Sequence, residues 1–455
     1  MNGRIALAFA VIGVACLANG QTTAPPPNAK DVPVPSRPTV PAGGQDQSLV
    51  SGTLSADDAV RIAIEKQPTL EAVRQAVTAA EGRVKQLRAR LLPQVGVAGT
   101  YSTSHFVGDE PDRLDLLLAQ GYGASAMVTQ LVFDANHSSD LVRQQKALKT
   151  VAIHDLARAK ADLALQALES YYLVGEAHRL VGVNERNVAN RDSQLQLARS
   201  RFNSGLGGAD DVLTAQTAKG DAVISLVQAR TTEDAAKVLL LQTLGLDPQT
   251  PVAVGEDGAR SVTIDRFDDF VAKSIDRRPE VLRAKASIDA AKFGARAAKT
   301  TSAPTLSGNV VFGTNDPGFP YGGGGYALNF VLSVPLYDGG LTAGAVQTAQ
   351  AVVKSAESDL KTAQLQVRTD VSQAYLAVRG AEQQDEAAKI NVVNAKESVR
   401  IAEGRYKSGV GLFLDIINAQ AALLTAETAS ESAQAEVYRQ RATLQHAAGL
   451  LTPMN

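Results

Sequence analysis

The stretch Arg201-Phe202-Asn203-Ser204-Gly205-Leu206-Gly207 recurs 204 residues later as Arg405-Tyr406-Lys407-Ser408-Gly409-Val410-Gly411. The match continues downstream, and of the 16 positions in 201–216, seven are identical in 405–420. Chance would give about one identity over such a length, so the chain contains an internal duplication. In each copy the glycines are typical of a helix end, because glycine adopts the left-handed conformation at low cost.

The duplication extends through the rest of the chain. The offset of 204 also holds for three further pairs, whereas upstream an offset of 211 relates another three. The first set is Phe133-Asp134 with Tyr337-Asp338, Tyr171 with Tyr375, and Gly245 with Gly449; the second is Pro68 with Pro279, Pro93 with Pro304, and Tyr101 with Phe312. The change of offset predicts a loop of variable length at 107–121 and its counterpart at 314–325. Each half is therefore predicted to run helix, strand, loop, strand, very long helix, turn, helix.

Two uninterrupted helical patterns, from about Asn136 to Asn203 and from about Leu341 to Lys407, contain no proline. Apolar residues recur at helical spacing along them. At 1.5 Å per residue each helix spans about 100 Å, which predicts coiled-coil packing against neighbours rather than burial in a single core. The glycine turns then reverse the chain, and helices from about Asp210 to Leu244 and from about Leu414 to Ala448 follow. Pro68 and Pro279 are predicted to open the helices that end at Leu91 and Ala298.

Alternating residues flank each variable loop. In Tyr326 to Val334 every second residue is apolar and the residues between are mostly small or polar. Three similar segments are found at 95–107, 122–129 and 306–313. Four strands of this kind are typical of an outer-membrane β-barrel, although single half-buried hairpins show the same alternation. One chain supplies too few strands to close a barrel, and a conducting pore needs at least three chains.

The N-terminal region reads as a targeting segment. One positive charge precedes an apolar stretch, and small residues then predict a signal peptide over 1–20 that is cleaved before Gln21. Cys16 offers an alternative, lipidation, although Gly13 stands where a lipoprotein signal has a large aliphatic residue. A Pro-rich leader is predicted over 21–52, the first repeat over 53–246, a linker over 247–278 and the second repeat over 279–455. No other apolar run is long enough to predict a transmembrane helix.

The composition excludes several function classes. The formal net charge is −2, so there is no broad cationic field to bind nucleic acid. The five histidines are scattered along the chain, which argues against a metal site. Nucleotide-binding fingerprints, nucleophile elbows and zincin helices are also missing from the sequence. We therefore expect no enzymatic activity and no cofactor.

Three features together resemble a known family: the doubled tip sequences, the helix that begins near Leu54-Ser55, and the run Val334-Pro335-Leu336-Tyr337-Asp338-Gly339-Gly340. Over about Leu54 to Leu451 the chain resembles the outer membrane efflux protein (TolC) family. The resemblance implies a mainly α fold with a β-barrel portion: a long antiparallel coiled-coil tunnel and four transmembrane strands per protomer. It also implies a homotrimer with a twelve-stranded barrel in the lipid of the outer membrane. The 247–278 linker would contribute to an equatorial belt around a periplasmic tunnel.

The resemblance further implies a site at the tip of the helices. Gly205, Leu206 and Gly207 with Gly409, Val410, Gly411 and Leu412 would contact a periplasmic adaptor (membrane fusion) protein. Asp415 would belong to a carboxylate ring at the entrance, and Asn418 stands where the family has a second aspartate. Asp211 and Tyr406 would form part of the closed-state link, whose best-known arginine is replaced by Gly411. On the simpler alternative, Asp211 and Asp415 are residues of a first helical turn, and Tyr406 is a packing residue.

Three functions follow from these features. The first is a passive exit duct for small toxic molecules, supplied by the adaptor and an inner-membrane pump of the RND or ABC type. The second is an exit duct for polypeptides in type I secretion. The third is a soluble periplasmic coiled-coil adaptor or scaffold. The sequence does not identify the cargo, since the pump rather than the tunnel wall selects it.

Overall fold

The computed structural model of the protein describes residues 53–105, 118–255, 258, 266–314 and 324–451. The predicted signal peptide, Cys16 and the Pro-rich leader lie outside these residues, as do most of the two variable loops. No described helix combines the length and the sustained hydropathy that crossing a bilayer would require.

Eight helices and six strands make up the described part of the chain. In order they are β1 (Thr53–Leu54), α1 (Ala56–Lys66), α2 (Pro68–Ala89), β2 (Gln94–His105), β3 (Leu118–Phe133), α3 (His137–Asn203), α4 (Ala209–Leu244), β4 (Ala253–Val254), α5 (Phe267–Arg277), α6 (Pro279–Lys299), β5 (Thr305–Thr314), β6 (Gly325–Ser333), α7 (Leu341–Lys407) and α8 (Phe413–Ala447). The predicted order of elements is confirmed in both halves. Helices α3 and α7 each have 67 residues, so each is about 100 Å long.

The strands of the sheet and the helices attached to them are arranged side by side in the same order. β2, β3, β5 and β6 form one antiparallel sheet in that order. The helices attached to them, α2, α3, α6 and α7, pack side by side in the same sequence. Helix α4 folds back along α3 and α8 folds back along α7. The sheet therefore lies at one end of the bundle, and the two helical turns lie at the other.

The register of the sheet places most of the large apolar residues of the four strands on one face, with exceptions such as Met127 and Val331 on the other. Val95 is paired with Val128, Val128 with Val310, and Val310 with Leu328. Residues paired directly across antiparallel strands point to the same side, so this row is continuous. The neighbouring row on the opposite face is polar and consists of Gln94, Thr129, Asn309 and Asn329. The alternation predicted within single strands is thus aligned across the whole sheet.

The corner between sheet and long helix is built alike in both repeats, with different residues. Ala135 and Asn136 have φ values of 53° and 69°, and their equivalents Gly339 and Gly340 have 62° and 92°. The carboxylate before each corner caps the helix: Asp134 accepts a hydrogen bond from the Ser138 amide at 2.7 Å. Its equivalent in the second repeat, Asp338, accepts one from Thr342 at 2.9 Å. The first repeat therefore maintains a left-handed corner without glycine.

Halfway along the bundle, two cores of buried residues hold the helices together. One joins α1, α3 and α4, and the other joins α5, α6, α7 and α8. They are equivalent through the duplication, since Leu163 in the first corresponds to Val367 in the second. The linker predicted over 247–278 contains α5, which packs here, and β4, which pairs in parallel with β1. Sequence periodicity did not predict either element.

Candidate functional site at the helical tip

The turns at the far end of the bundle have nearly the same backbone in both repeats. Gly205 and Gly409 adopt φ values of 75° and 79°, which confirms the predicted left-handed helix ends. Their amides donate to the carbonyls of Phe202 and Tyr406, at 3.0 Å and 3.1 Å. These bonds close the last turns of α3 and α7 before the chain reverses.

The second glycine of each turn is required for space rather than for φ. A Cβ atom at Gly411 would lie 2.8 Å from Cβ of Arg405, and one at Gly207 would lie 3.2 Å from Cβ of Arg201. A side chain at either position would push the turn away from its own helix. Gly411, where the family resemblance implies an arginine, therefore fits this turn as glycine.

Below the turns, all four helices of the tip share one small core. It contains Leu195 and Ala198 of α3, Ala215 of α4, Ala402 and Tyr406 of α7, and Phe413 and Ile416 of α8. Ile416 is fully buried, and the ring of Tyr406 lies 5.3 Å from that of Phe413. The interpretation of Tyr406 as a packing residue is thus correct for its ring.

The hydroxyl of Tyr406 has a second role, because it donates a hydrogen bond to Oδ2 of Asp211 at 2.9 Å. Burial raises the pKa of Tyr406 to about 12, and the neighbouring Asp211 carboxylate adds to the effect. The phenol is therefore neutral, and remains a donor, at any physiological pH. The structure brings together two residues that the sequence placed at the tip, one from each repeat.

Arg201 completes this contact, and the sequence analysis did not single it out. Its guanidinium lies 4.6 Å from the centre of the Tyr406 ring, within cation–π range. It also donates to the carbonyls of Lys407 and Leu206. A signal was present in the sequence, since Arg201 is one of the seven identities between the tip copies. Arg201 therefore ties the two turns to each other.

Asp415 and Asn418 lie on the exposed surface of α8 in the first turns of the helix. Oδ2 of Asp415 accepts a hydrogen bond from the Leu412 amide at 3.2 Å, so this carboxylate at the third helical position satisfies the amide of the N-cap residue. Asp415 is thus a residue of the first helical turn, and the entrance ring stays a prediction that needs neighbouring chains.

The outermost side chains of the tip are apolar. Leu206, Val410 and Leu412 are 69%, 84% and 69% exposed. Apolar residues in this concentration on two adjacent turns are typical of a surface that binds another protein. The residues predicted to contact the adaptor therefore form one accessible surface, which is called the tip surface below.

Known proteins share this architecture. The profile of the outer membrane efflux protein family matches residues 59–246 and 271–450. The outer membrane efflux protein BepC of Brucella suis is 23% identical over 89% of this chain and 87% of its own length. The outer membrane protein TolC of Escherichia coli is 25% identical over 77% of this chain and 73% of its own. The crystal structure of the outer membrane protein VceC from Vibrio cholerae superposes with a TM-score of 0.73 at 17% identity, over 87% of this chain and 96% of that one.

Proposed function

Because this chain belongs to the outer membrane efflux protein family, we propose that three copies form the passive exit duct of a tripartite efflux system in the outer membrane. The duct carries small toxic molecules from a periplasmic adaptor and an inner-membrane RND or ABC pump to the exterior. Members of this family are transport channels rather than enzymes, and the pump supplies the energy.

The observation that carries the proposal is the aligned apolar face of the sheet. A four-stranded sheet with one apolar face and one polar face has to cover the apolar face. Its large side chains are exposed instead, with Val95 at 74% and Leu328 at 57%. Among the described strands, the two outer ones, β2 and β6, each have one edge without a paired neighbour. Lipid covers such a face, and a closed ring of strands removes the edges.

The number of chains follows from the number of strands. Two chains would give eight strands, a barrel that its own side chains fill. Three chains give twelve strands and leave an open lumen lined by the polar face. Pairing β6 of one protomer with β2 of the next closes the ring without a change within the protomer.

The helices carry unpartnered apolar stripes that fit the same assembly. On α4 the stripe consists of Leu213, Ile224, Val227 and Val238, and on α7 of Leu365, Leu376, Ile390 and Ile401, all more than two-fifths exposed. Spacings of 11 and 14 residues bring side chains back to nearly the same side of a helix. Each stripe needs a partner helix, and α4 of one protomer beside α7 of the next buries both.

The tip surface supports the placement of the partners. It lies at the end of the bundle opposite to the membrane-spanning sheet, so it faces the cell interior across the periplasm. Its apolar side chains fit an adaptor protein. A soluble scaffold, the third function considered above, would not account for the exposed face of the sheet. Cargo depends on the pump, and a pump of the secretion type would make polypeptides the cargo.

The experiment that tests the proposal combines the mass of the cross-linked protein in detergent with its conductance in a planar bilayer. We expect a trimer with discrete channels. A monomer without conductance would overturn the proposal. Substitution of Leu328 by lysine on the apolar face should prevent insertion, because a lysine that faces lipid costs about 2 to 4 kcal/mol at mid-bilayer. The control is Asn329→Lys on the polar face of the same strand, which should insert and reduce the cation preference of the channel.

A further inference from the structure

The helices that enter the sheet carry exposed cations close to the strands. These are Arg83, Lys85 and Arg88 on α2, Arg90 directly after it, and Lys292, Arg296 and Lys299 on α6. None of the seven forms an ion pair with a residue that the structure describes. The nearest carboxylate on α2, that of Glu81, is bound by Lys149 at 2.6 Å. The net charge of the whole chain is −2, so this concentration of positive charge at one end of the molecule is local.

Two of the cations on α2 have basic equivalents on α6 through the duplication. The offset of 211 that relates α2 to α6 places Lys85 on Arg296 and Arg88 on Lys299. The type of charge is kept while the residue is exchanged in both pairs. These four residues are called the basic belt.

The basic belt lies on the side of the helix that faces away from the polar side of the sheet. Gln86 and Arg90 line a cavity together with Gln94 and Thr129, which belong to the polar row. At 100° per residue, Lys85 is about 140° and Arg88 about 160° around the helix from Arg90. Arg88 therefore points away from the cavity, Lys85 lies beyond its edge at Ala89, and Arg83, about 20° from Arg90, points to the cavity side.

The position of these residues along the chain also fits a headgroup. Arg88 and Lys299 precede the first strand residues, Gln94 and Thr305, by only six positions, and the chain between them is mostly a short turn outside α2 and α6. Lys85 and Arg296 lie three residues further from the strands. The polar headgroup region of a bilayer is about 5 to 7 Å thick on each side. Long basic side chains that start just beyond the apolar face can reach its phosphates.

We propose that the basic belt, Lys85, Arg88, Arg296 and Lys299, binds the phosphates of anionic phospholipids in the leaflet that faces the helical tunnel. The inference rests on the proposed function, because the sheet must span the membrane. In a trimer six basic pairs surround the bundle directly below the barrel. They fix the depth of the barrel in the membrane and orient the tunnel perpendicular to it.

Titration of the detergent-solubilised full-length protein with phosphatidylglycerol, read out by native mass spectrometry, tests the proposal. The wild type should bind phosphatidylglycerol in preference to phosphatidylcholine, and salt should weaken the preference. In the double variant Lys85→Gln/Arg88→Gln, binding at this pair should weaken about thirtyfold, given the usual contribution of each basic residue near an anionic surface. The matched control is Arg83→Gln/Arg90→Gln, which removes two charges from the other side of the same helix end.

Equal weakening in both double variants would show a non-specific charge effect and overturn the inference. A wild type that binds both lipids equally, or regardless of salt, would also overturn it. The charge-retaining variant Lys85→Arg/Arg88→Lys should bind like the wild type, which separates loss of charge from misfolding. Trimer mass and conductance are recorded on the same samples. A conducting trimer without lipid preference contradicts the basic belt alone, whereas a non-conducting monomer contradicts the duct.

Discussion

The hydroxyl of Tyr406 on α7 donates to the carboxylate of Asp211 on α4 over 2.9 Å, and so joins the last turn of one repeat's long helix to the first turn of the other repeat's return helix. The two residues are 195 positions apart in the chain. The contact forms because both turns lie at the same end of the bundle, where helices of the two repeats share one core. Separation of the two helical hairpins at the tip has to break this bond.

Removal of the bond should therefore loosen the tip. We expect Tyr406→Phe, which keeps the ring in its core, to raise the conductance of the channel and its open fraction. A hydrogen bond to a charged group contributes about 1.5 to 3 kcal/mol, so the shift in the opening equilibrium should be at least tenfold. Asp211→Ala, which removes the acceptor, should have a similar effect, while Asp210→Ala on the adjacent exposed carboxylate is the control. Wild-type conductance in Tyr406→Phe would leave this tyrosine with a packing role only.

Two substitutions at Asp415 separate its capping role from its charge. Asparagine retains an oxygen that can accept from the Leu412 amide, but it removes the negative charge. We expect Asp415→Asn to keep the thermal stability and to reduce cation selectivity in single-channel recordings. Asp415→Ala should lose both, at a cost of about 1 kcal/mol in stability. If the selectivity of Asp415→Asn is that of the wild type, the carboxylate does not belong to an entrance ring.

The corner before α3 is a site where glycine should stabilise the protein. Ala135 has a φ of 53°, which costs a non-glycine residue about 1 to 2 kcal/mol, partly offset by the entropy that glycine loses on folding. Ala135→Gly should raise the free energy of unfolding by about 0.5 kcal/mol. The reverse change at the equivalent corner, Gly339→Ala, should lower it by about 1 kcal/mol.

The control is a glycine-to-alanine substitution within a helix. Gly344 lies in α7, its φ is negative, and nothing lies within 4 Å of a Cβ atom there. Gly344→Ala should stabilise by about 1 kcal/mol because alanine favours the helix. Denaturant unfolding of all three variants measures the signs. If Gly339→Ala and Gly344→Ala were both stabilising, the corner would not be strained.

A pH dependence is expected at the middle of the bundle. Nε2 of His446 on α8 lies 2.8 Å from Oδ1 of Asp162 on α3, and Arg158 and Arg278 lie close to the same carboxylate. The hydrogen bond to His446 is the main cause that lowers the pKa of Asp162. The folded state therefore holds this proton less tightly than the unfolded state does. The contribution of the carboxylate to stability is complete above about pH 4 and is lost as the pH falls further.

Comparison of Asp162→Asn with the wild type measures this contribution. The difference in melting temperature should be largest near neutral pH and should shrink below about pH 4. Asp155→Asn is the control, because Asp155 on α3 also forms an ion pair with a residue of the second repeat, Arg283, but does so at the surface. A difference that stays constant down to pH 2 would mean that the interaction with His446 does not depend on the charge of Asp162.

Much of this fold could be predicted from the sequence because particular residue types mark where its helices begin and end. Proline at 68 and 279 and glycine at 205 and 409 delimit the helices, and the long helices begin and end within one residue of the predicted positions. By contrast, β1 and β4 are only two residues long and show no periodicity. The left-handed Ala135 gives no sequence signal, because alanine is typical of helices. Arg201 contacts the opposite turn, which only the folded chain brings near it.

The length of the long helices makes them levers. From Tyr375, which packs against the core of α5, α6, α7 and α8 halfway along the bundle, to the end of α7 at Lys407 the helix rises about 48 Å without a break. A tilt of about 5° at the core moves the end by about 4 Å, which exceeds the length of the Tyr406 hydrogen bond. A slight repacking of small side chains in the middle of the molecule would therefore be enough to separate Tyr406 from Asp211 at its end.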